Sequence, residues 1–289
     1  MNSFLDRYTS GECEAVWAEL LDLGEQVRHE PLFSEALAVA YATMKRVRHN
    51  IQILIPRLQI CGYEFGYAWL EEYAEAIVGP SFVVPQEEHI LYPQEILEEL
   101  EGEGRERELA ELWERAHRPA RPHSPPGLEV QSSLGELEIL VGPLPLSWRA
   151  WYEIVGTVDF VGRTPQRWWD QFHIKMPPDE SLDPLQVLPL EWVLKTAKRE
   201  RPYLDQEGLL YLPISHDKHG KYFISGGGPY SIKVPQPTMD AFLEGEWHQT
   251  TFVNYLRICF RWGGLPGLEH CSHVPQKDLM YLTEGLLPI

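Results

Sequence analysis

The sequence predicts an α+β protein in which a helical N-terminal domain precedes a domain of short strands and a few helices. Apolar residues recur at helical spacing up to about residue 117, and a proline-rich segment then interrupts the pattern. After it, short β-rich runs alternate with turn residues. We therefore expect a helical domain at 1–117, a linker at 118–135 and an α+β domain at 136–289.

Two apolar patterns support the helical domain. Residues 12–28 place apolar side chains at helical spacing, and Pro31 opens a longer pattern of the same period. The longer pattern predicts one long helix, or two helices joined near Asn50. Pro56 would kink this helix or stand in the first turn of a new one, and Gly62 is a natural end for it.

Further helices are expected at 68–77 and within the acidic stretch at 93–117. A basic patch is unusual in so acidic a protein and has two interpretations. It is an anion site, or it pairs within the chain with the acidic residues at 94–114, which we favour. The patch consists of Lys45, Arg46, Arg48 and His49.

The linker prediction depends on residues 118–127, which read RPARPHSPPG and contain four prolines with little to bury. Beyond it, Ser147 is a plausible cap for a helix within 144–156. A short helix is expected after the strand at 185–190, and a closing helix at 250–262. The predicted strands lie at 134–142, 157–162, 185–190, 208–214, 221–225 and 230–235.

The charge balance disfavours several classes of partner. The 289 residues carry a formal charge of −18, so a nucleic acid or an anionic membrane surface would be repelled. No apolar run is long enough to cross a bilayer, and the first residues lack the apolar region of a secretory signal. The four cysteines are scattered and include no CxxC pair. We expect a cytoplasmic protein without nucleic-acid or membrane binding.

Four segments of the second half, in order, resemble the SUKH superfamily, which includes yeast cell-wall-assembly regulators linked to killer-toxin resistance and many bacterial proteins. The segments are LPLSWRAWYEIVG at 144–156, LYLPISHDKHGKYFI at 210–224, GGPYSIKVP at 227–235 and TTFVNYLR at 250–257. The stretch at 163–201 is longer and richer in aromatic residues than a minimal family member, and the tail after Gly267 is additional.

The resemblance implies a mixed, largely antiparallel sheet covered by helices on one face. It also implies a binding protein, since many bacterial members look like immunity proteins that sequester toxins. On this basis we expect a non-enzymatic protein with a toxin-immunity or regulatory role and no cofactor. Its partner would be a protein, and a basic toxin would suit the acidic surface. The resemblance does not cover the helical half, and oligomeric state does not follow from it.

Two polar clusters support an alternative function, a metal-dependent enzyme. His216, Asp217 and His219 lie in the SHDKHG turn and could ligate zinc, although a tight turn also favours aspartate and glycine. A second set, His270, Cys271 and His273, supplies further ligand types without the spacing of a zinc finger. GxSxG, HExxH and Walker motifs are absent from the sequence.

Aromatic residues are the other candidate for recognition. Ten tryptophans occur in the chain, and most are expected in the core because each buries a large area. Some would line a binding surface, and the adjacent pair Trp168 and Trp169 cannot both face inward. The candidate binding residues are Trp148, Tyr152, Trp168, Trp169, His216, Asp217, His219 and Tyr230.

Overall fold

The α+β class is confirmed by a computed structural model, in which helices and short antiparallel strands alternate. The predictions for helices at 68–77 and 93–117 lie outside the described residues. The structure describes residues 3–67, 119–168, 182–203, 208–222, 227–271 and 274–289.

The N-terminal segment is helical, as predicted. Helix α1 spans Phe4–Thr9, and its first turn is stabilised because the side chains of Ser3 and Asp6 each accept a hydrogen bond from the other's backbone N–H. Helix α2 spans Cys13–Asp22, and a short 3₁₀ turn at Gly24–Arg28 follows it. The described N-terminal residues are thus consistent with the helical prediction for 12–28.

Helix α3 spans Leu32–Ile60 without a break, so the alternative of two helices joined near Asn50 is wrong. Pro56 lies inside the helix near its C-terminal end. Gly62 ends the helix with a φ of +86°, a conformation that favours glycine. Buried side chains recur every three or four residues along one face: Ala36, Ala40, Thr43, Met44, Val47, Asn50, Ile51, Leu54 and Leu58.

The second half supplies five described α-helices and most of the strands. The helices are α4 at Val130–Val141, α5 at Leu146–Ile154, α6 at Leu190–Glu200, α7 at Phe252–Arg261 and α8 at Gln276–Thr283. The strands are β1 at Glu64–Phe65, β2 at His123–Ser124, β3 at Thr157–Asp159, β4 at Gly162–Arg163, β5 at Gln186–Val187, β6 at Leu210–Ser215, β7 at Tyr230–Val234 and β8 at Leu243–Glu244.

The described strands form three antiparallel sheets. Strand β1 pairs with β4, the second sheet has the order β2-β3-β5, and the third has the order β6-β7-β8. The two three-stranded sheets meet where the backbone N–H of Leu188 donates to the carbonyl of Ile214 at 2.7 Å. This bond places β5 beside β6 and brings the residues of both sheets close together.

One predicted strand is wrong, and the described start of a second is a turn. Residues 134–142, expected as a strand, lie mostly in helix α4, because Leu134, Leu137 and Val141 are buried at helical spacing. At 221–225, the described residues belong to the 3₁₀ turn Gly220–Tyr222, in which the backbone of Lys221 donates to the carbonyl of Asp217. Local turn geometry therefore overrides apolar composition at Lys221 and Tyr222, whereas residues 223–225 lie outside the described residues.

The predicted linker at 118–135 contains ordered structure. His123–Ser124 is strand β2 and pairs with β3, and the end of the segment enters helix α4. Gly156 explains the close approach, because a Cβ there would lie 2.3 Å from the carbonyl oxygen of Ser124. The proline-rich segment is thus packed against the turn that precedes β3.

The division into two domains stays a prediction, but one continuous core contains buried residues of both halves. Helix α3 packs against α5, and β1 at its C-terminal end pairs with β4. The phenol of Tyr63 donates to the carbonyl of Phe160 at 2.6 Å across the same junction. The described parts of the two halves therefore share their interior.

The basic patch on α3 binds main-chain carbonyls of the second half. Arg46 donates to Pro288 at 2.9 Å, and Arg48 donates to Ile154 at 3.3 Å near the C-terminal end of α5, where a cation is favourable. The favoured pairing with 94–114 lies outside the described residues. Asn50 exchanges two hydrogen bonds with the backbone of Leu287, at 2.9 and 2.8 Å.

A polar cluster joins α3, α4 and α5. Tyr41 donates to Glu153 at 2.5 Å, and Arg149 bridges Glu153 and Glu138 at 3.2 and 2.7 Å. Burial, aided by the bond to Glu153, raises the pKa of Tyr41 to about 12. One guanidinium thus lies between two carboxylates at a partly buried junction.

No helix among the described residues combines the length and the apolar composition that crossing a bilayer requires.

Replacing Asn50 by alanine is expected to lower the free energy of unfolding by about 1–3 kcal/mol, because it leaves both backbone groups of Leu287 without their side-chain partners. Urea unfolding monitored by circular dichroism would measure the change. The exposed Asn254→Ala is the matched control, with an expected effect below about 0.5 kcal/mol. Equal effects at both positions would contradict the assignment.

The raised pKa of Tyr41 predicts a loss of stability at alkaline pH. The folded state keeps the phenol protonated longer than the unfolded state, so its contribution is complete below pH 10 and falls as the pH rises toward about 12. We expect the thermal midpoint of Tyr41→Phe to decline less steeply than that of the wild type through this range. Tyr281→Phe, on an exposed ring, should leave the wild-type slope unchanged.

Candidate functional site

A groove above the polar face of the β2-β3-β5 sheet is a candidate site. Directly opposed residues of antiparallel strands point to the same face. Val158 and Val187 oppose each other and are fully buried, so this pair faces the core. The neighbouring positions therefore face the groove, and its floor consists of Ser124, Thr157, Asp159 and Gln186.

The walls of the groove come from three parts of the chain. One wall is the proline-rich segment at 119–130, the other is the start of α6 at 189–191, and Tyr67 closes one side. The groove encloses about 800 Å³. This volume lies within the range of about 300–1,000 Å³ that ligand sites in proteins occupy.

Asp159 is the most strongly oriented side chain of the floor. Its Oδ2 accepts a hydrogen bond from the phenol of Tyr67 at 3.0 Å, and its Oδ1 accepts from the amide of Gln186 at 3.1 Å. The backbone N–H of Val161 also donates to Oδ1 at 3.3 Å. Three donors from three segments thus hold the carboxylate in one position at the groove.

Charges along the groove favour a positively charged occupant. Glu129, Asp159 and Glu191 contribute three carboxylates, and Arg121 contributes one guanidinium. Both glutamates stand at the N-terminal ends of helices, where the helix dipole favours negative charge. The site is therefore acidic and preorganised before any partner arrives.

The predicted residue His216 is connected to this floor. The side-chain carbonyl of Gln186 accepts from the backbone N–H of His216 at 3.0 Å and lies 2.8 Å from its Nδ1. Gln186 is only 2% exposed, so this bridge is shielded from water. Sequence reasoning missed Gln186 because no local motif marks a glutamine that joins two sheets.

Asp217 has a structural role within the SHDKHG turn. Its Oδ1 accepts from the backbone N–H of Gly220 at 2.6 Å, and its carboxyl group packs against Gly227, where a Cβ would lie 1.6 Å from Oδ2. The side chain is 8% exposed. Asp217 therefore shapes the turn, which agrees with the turn interpretation of this motif.

The two metal-ligating clusters do not assemble into a metal centre among the described residues. No group of three or more histidine, cysteine, aspartate or glutamate side chains in those segments has a geometry that could hold a metal ion. This includes His216, Asp217, His219, His270 and Cys271, whereas His273 lies outside the described residues.

Four of the predicted aromatic binding residues lie in the core. Trp148 and Tyr152 are buried on α5, and Trp168 is buried while its indole N–H donates to Asp278 at 2.7 Å. Tyr230 is also buried. These side chains serve packing in this structure, and only Tyr152 reaches the lining of the groove. Trp169 lies outside the described residues.

A buried ion pair joins Lys221 and Asp183 in the second half of the chain. The ammonium of Lys221 contacts Asp183 at 2.5 Å, and both side chains are fully buried. Tyr230 donates to the second oxygen of Asp183 at 3.1 Å, and the Lys221 ammonium lies 3.5 Å from the phenol oxygen of Tyr255. Asp183 has a φ of +46°, so the backbone is strained at the residue that carries the charge.

Burial controls the ionisation of the groups around this pair. It raises the pKa of the Cys259 thiol well above its ordinary value, and the Asp183 charge adds to the effect. Burial also raises the pKa of Tyr230, again with a contribution from Asp183. The Cys259 thiol and the Tyr230 phenol therefore stay protonated at neutral pH, and the cluster serves a structural role. The sequence contains no local signal for it, since Asp183 and Lys221 are 38 residues apart.

Searches against protein-family models, curated proteins and solved structures found no match for this chain. The resemblance to the SUKH superfamily therefore stays a prediction.

Replacing Lys221 by methionine is expected to lower the free energy of unfolding by about 3–5 kcal/mol, because Asp183 would remain buried without its counter-ion. The double variant Lys221→Met/Asp183→Asn should recover most of this loss, since asparagine is neutral and tolerates a positive φ.

Chemical denaturation of both variants would measure these changes. The control is Lys198→Met, which removes an exposed pair with Glu136 and should cost less than about 1 kcal/mol. A double variant as unstable as Lys221→Met would argue against an uncompensated charge as the cause.

Proposed function

We propose that this chain is a non-enzymatic binding protein whose groove takes an extended, positively charged segment of a protein partner. The observation that carries the proposal is the oriented Asp159 carboxylate on the floor of an acidic groove. A cationic side chain of the partner would lie over this carboxylate, and the backbone of the segment would run between the two walls.

The charge of the whole chain supports the same class of partner. With a formal charge of −18, the surface field would attract a basic protein over long distances and raise its association rate. The field would also repel acidic competitors, which adds selectivity. The local charge of the groove and the global charge therefore favour the same occupant.

The chemistry of the lining favours binding over catalysis. Among the described residues that line the groove, there is no histidine, cysteine or lysine. General acid–base or nucleophilic catalysis usually places such a group within hydrogen-bond reach of a second one. A floor of hydroxyl, amide and carboxylate groups is suited to recognition by hydrogen bonds and charge.

The cellular role that fits these features is neutralisation of a basic toxin in the cytoplasm, as the resemblance to the SUKH superfamily implies. All four cysteines are free thiols, which is typical of a reducing compartment. A basic toxin would supply both the net charge and a cationic segment for the groove. A regulatory protein with a basic target would use the groove in the same way.

Fluorescence anisotropy with a labelled, alternating Lys-Ala octapeptide tests the proposal. We expect binding that weakens with added salt, whereas a Glu-Ala octapeptide should not bind. Asp159→Asn should weaken binding at least roughly tenfold, since a hydrogen bond to a charged group contributes about 1.5–3 kcal/mol.

The exposed Glu14→Gln removes the same charge away from the groove and should change affinity less than about twofold, because exposed charges are screened by salt. Equal losses in the two variants would show that only net charge attracts the peptide. Absence of binding to the Lys-Ala peptide, or equal binding of both peptides, would overturn the proposal.

A further inference from the structure

The side chain of Gln186 connects the groove floor to the turn at 215–220. Its amide nitrogen faces Asp159 at 3.1 Å, and its carbonyl oxygen faces His216. The hydroxyl oxygen of Ser215, at the start of the turn, lies 3.5 Å from the same carbonyl oxygen. The glutamine is thus the bridge between a residue that would contact a partner and a polar turn on the other sheet.

The chemistry of its partners allows one orientation of the amide. The backbone N–H of His216 can only donate, so the atom 3.0 Å from it must be the carbonyl oxygen. An ionised carboxylate can only accept, so the atom facing Asp159 must be the NH₂ group. The assignment therefore follows from hydrogen-bond roles and involves no ambiguity between nitrogen and oxygen.

The same argument assigns the tautomer of His216. The carbonyl oxygen of Gln186 lies 2.8 Å from Nδ1 and can only accept. Nδ1 must therefore carry the proton, and in the neutral ring Nε2 is the acceptor. The imidazole of the SHDKHG turn is held in a defined state by a residue that also orients the groove.

We propose that Gln186 is a positioning residue that couples occupancy of the groove to the turn at 215–220. Hydrogen bonds in a chain polarise one another, and the Asp159 carboxylate polarises the amide toward His216. A cation bound at Asp159 reduces that polarisation and weakens the bond from Nδ1 of His216 to the amide carbonyl. This coupling rests on the proposed function, because it needs a cationic occupant.

The turn can transmit such a change further into the protein. Asp217 follows His216 directly, and its carbonyl accepts from the backbone of Lys221 at 3.0 Å. Lys221 in turn pairs with Asp183 in the core. A shift at His216 therefore acts on a turn that is bonded to the buried ion pair, so the surface of the turn responds to what the groove holds.

Nitrogen-15 NMR of the histidine rings tests the coupling, with the Lys-Ala octapeptide as the probe. In the free protein we expect His216 to have a protonated Nδ1. Addition of the peptide should shift its ring resonances, while the exposed His29 stays unchanged. In Gln186→Met, peptide binding should weaken because Asp159 loses one of its donors. At a saturating peptide concentration, His216 should show neither the defined tautomer nor the response to the peptide.

Asp159→Asn serves as the second variant. It keeps the bond between Gln186 and His216, so the tautomer should persist while the response to the peptide is lost. The wild-type protein decides the outcome even if Gln186→Met does not fold. A wild-type His216 whose resonances do not move when the peptide binds would overturn the coupling and leave the proposed function standing.

If the peptide does not bind, the proposed function fails. The coupling then fails with it, because no bound cation is present to weaken the bond between Gln186 and His216. The tautomer in the free protein is a separate measurement. A ring protonated on Nε2 alone would show that Gln186 does not position His216, whatever the result with the peptide.

Discussion

The packing of α3 against α5 is the constraint on which the rest of the structure depends. The buried face of α3 continues the core of the second half, and the residues that follow the helix enter strand β1. Strand β1 pairs with β4, and Tyr67, two residues after the end of β1, lies at the edge of the groove. If α3 were displaced, the groove would lose Tyr67, which closes one side and donates a hydrogen bond to Asp159.

The same constraint explains how the basic patch on α3 is used. Arg46 and Arg48 reach main-chain carbonyls of the second half, and Asn50 holds the backbone of Leu287. Such bonds need a close fit, because the carbonyls are available only when the helix lies flat against the segments that carry them. Two cationic side chains thereby join the two halves.

Two kinds of polar network lie in the second half, and their environments separate their roles. Lys221 and Asp183 are fully buried, so their charges compensate each other and contribute to a unique arrangement of the core. Asp159 is oriented by donors and lines a groove, where we propose that the cationic segment of a partner binds. Gln186 and the turn at 215–220 lie between the two networks and connect them.

The sequence by itself determined the α+β class, the closing helix and the strands near 208–214 and 230–235, because each depends on local periodicity and turn residues. It left open whether the pattern after Pro31 forms one long helix or two, and the structure decided for one. The sequence also proposed His216 as a candidate, and in the structure this residue lies within hydrogen-bond distance of Gln186. The helix at Val130–Val141 and the paired strand at His123–Ser124 were not predicted. For those segments, burial against distant neighbours outweighs local propensity.

Only the tertiary structure decided which polar residues meet. Asp159, Gln186 and His216 come from three separate segments, and no spacing rule relates residues that become neighbours through strand pairing. Trp148 and Tyr230, which were predicted as binding residues, lie in the core of the structure. Composition therefore motivates the proposal of a basic partner, whereas the register of β3 and β5 decided where the Asp159 carboxylate lies.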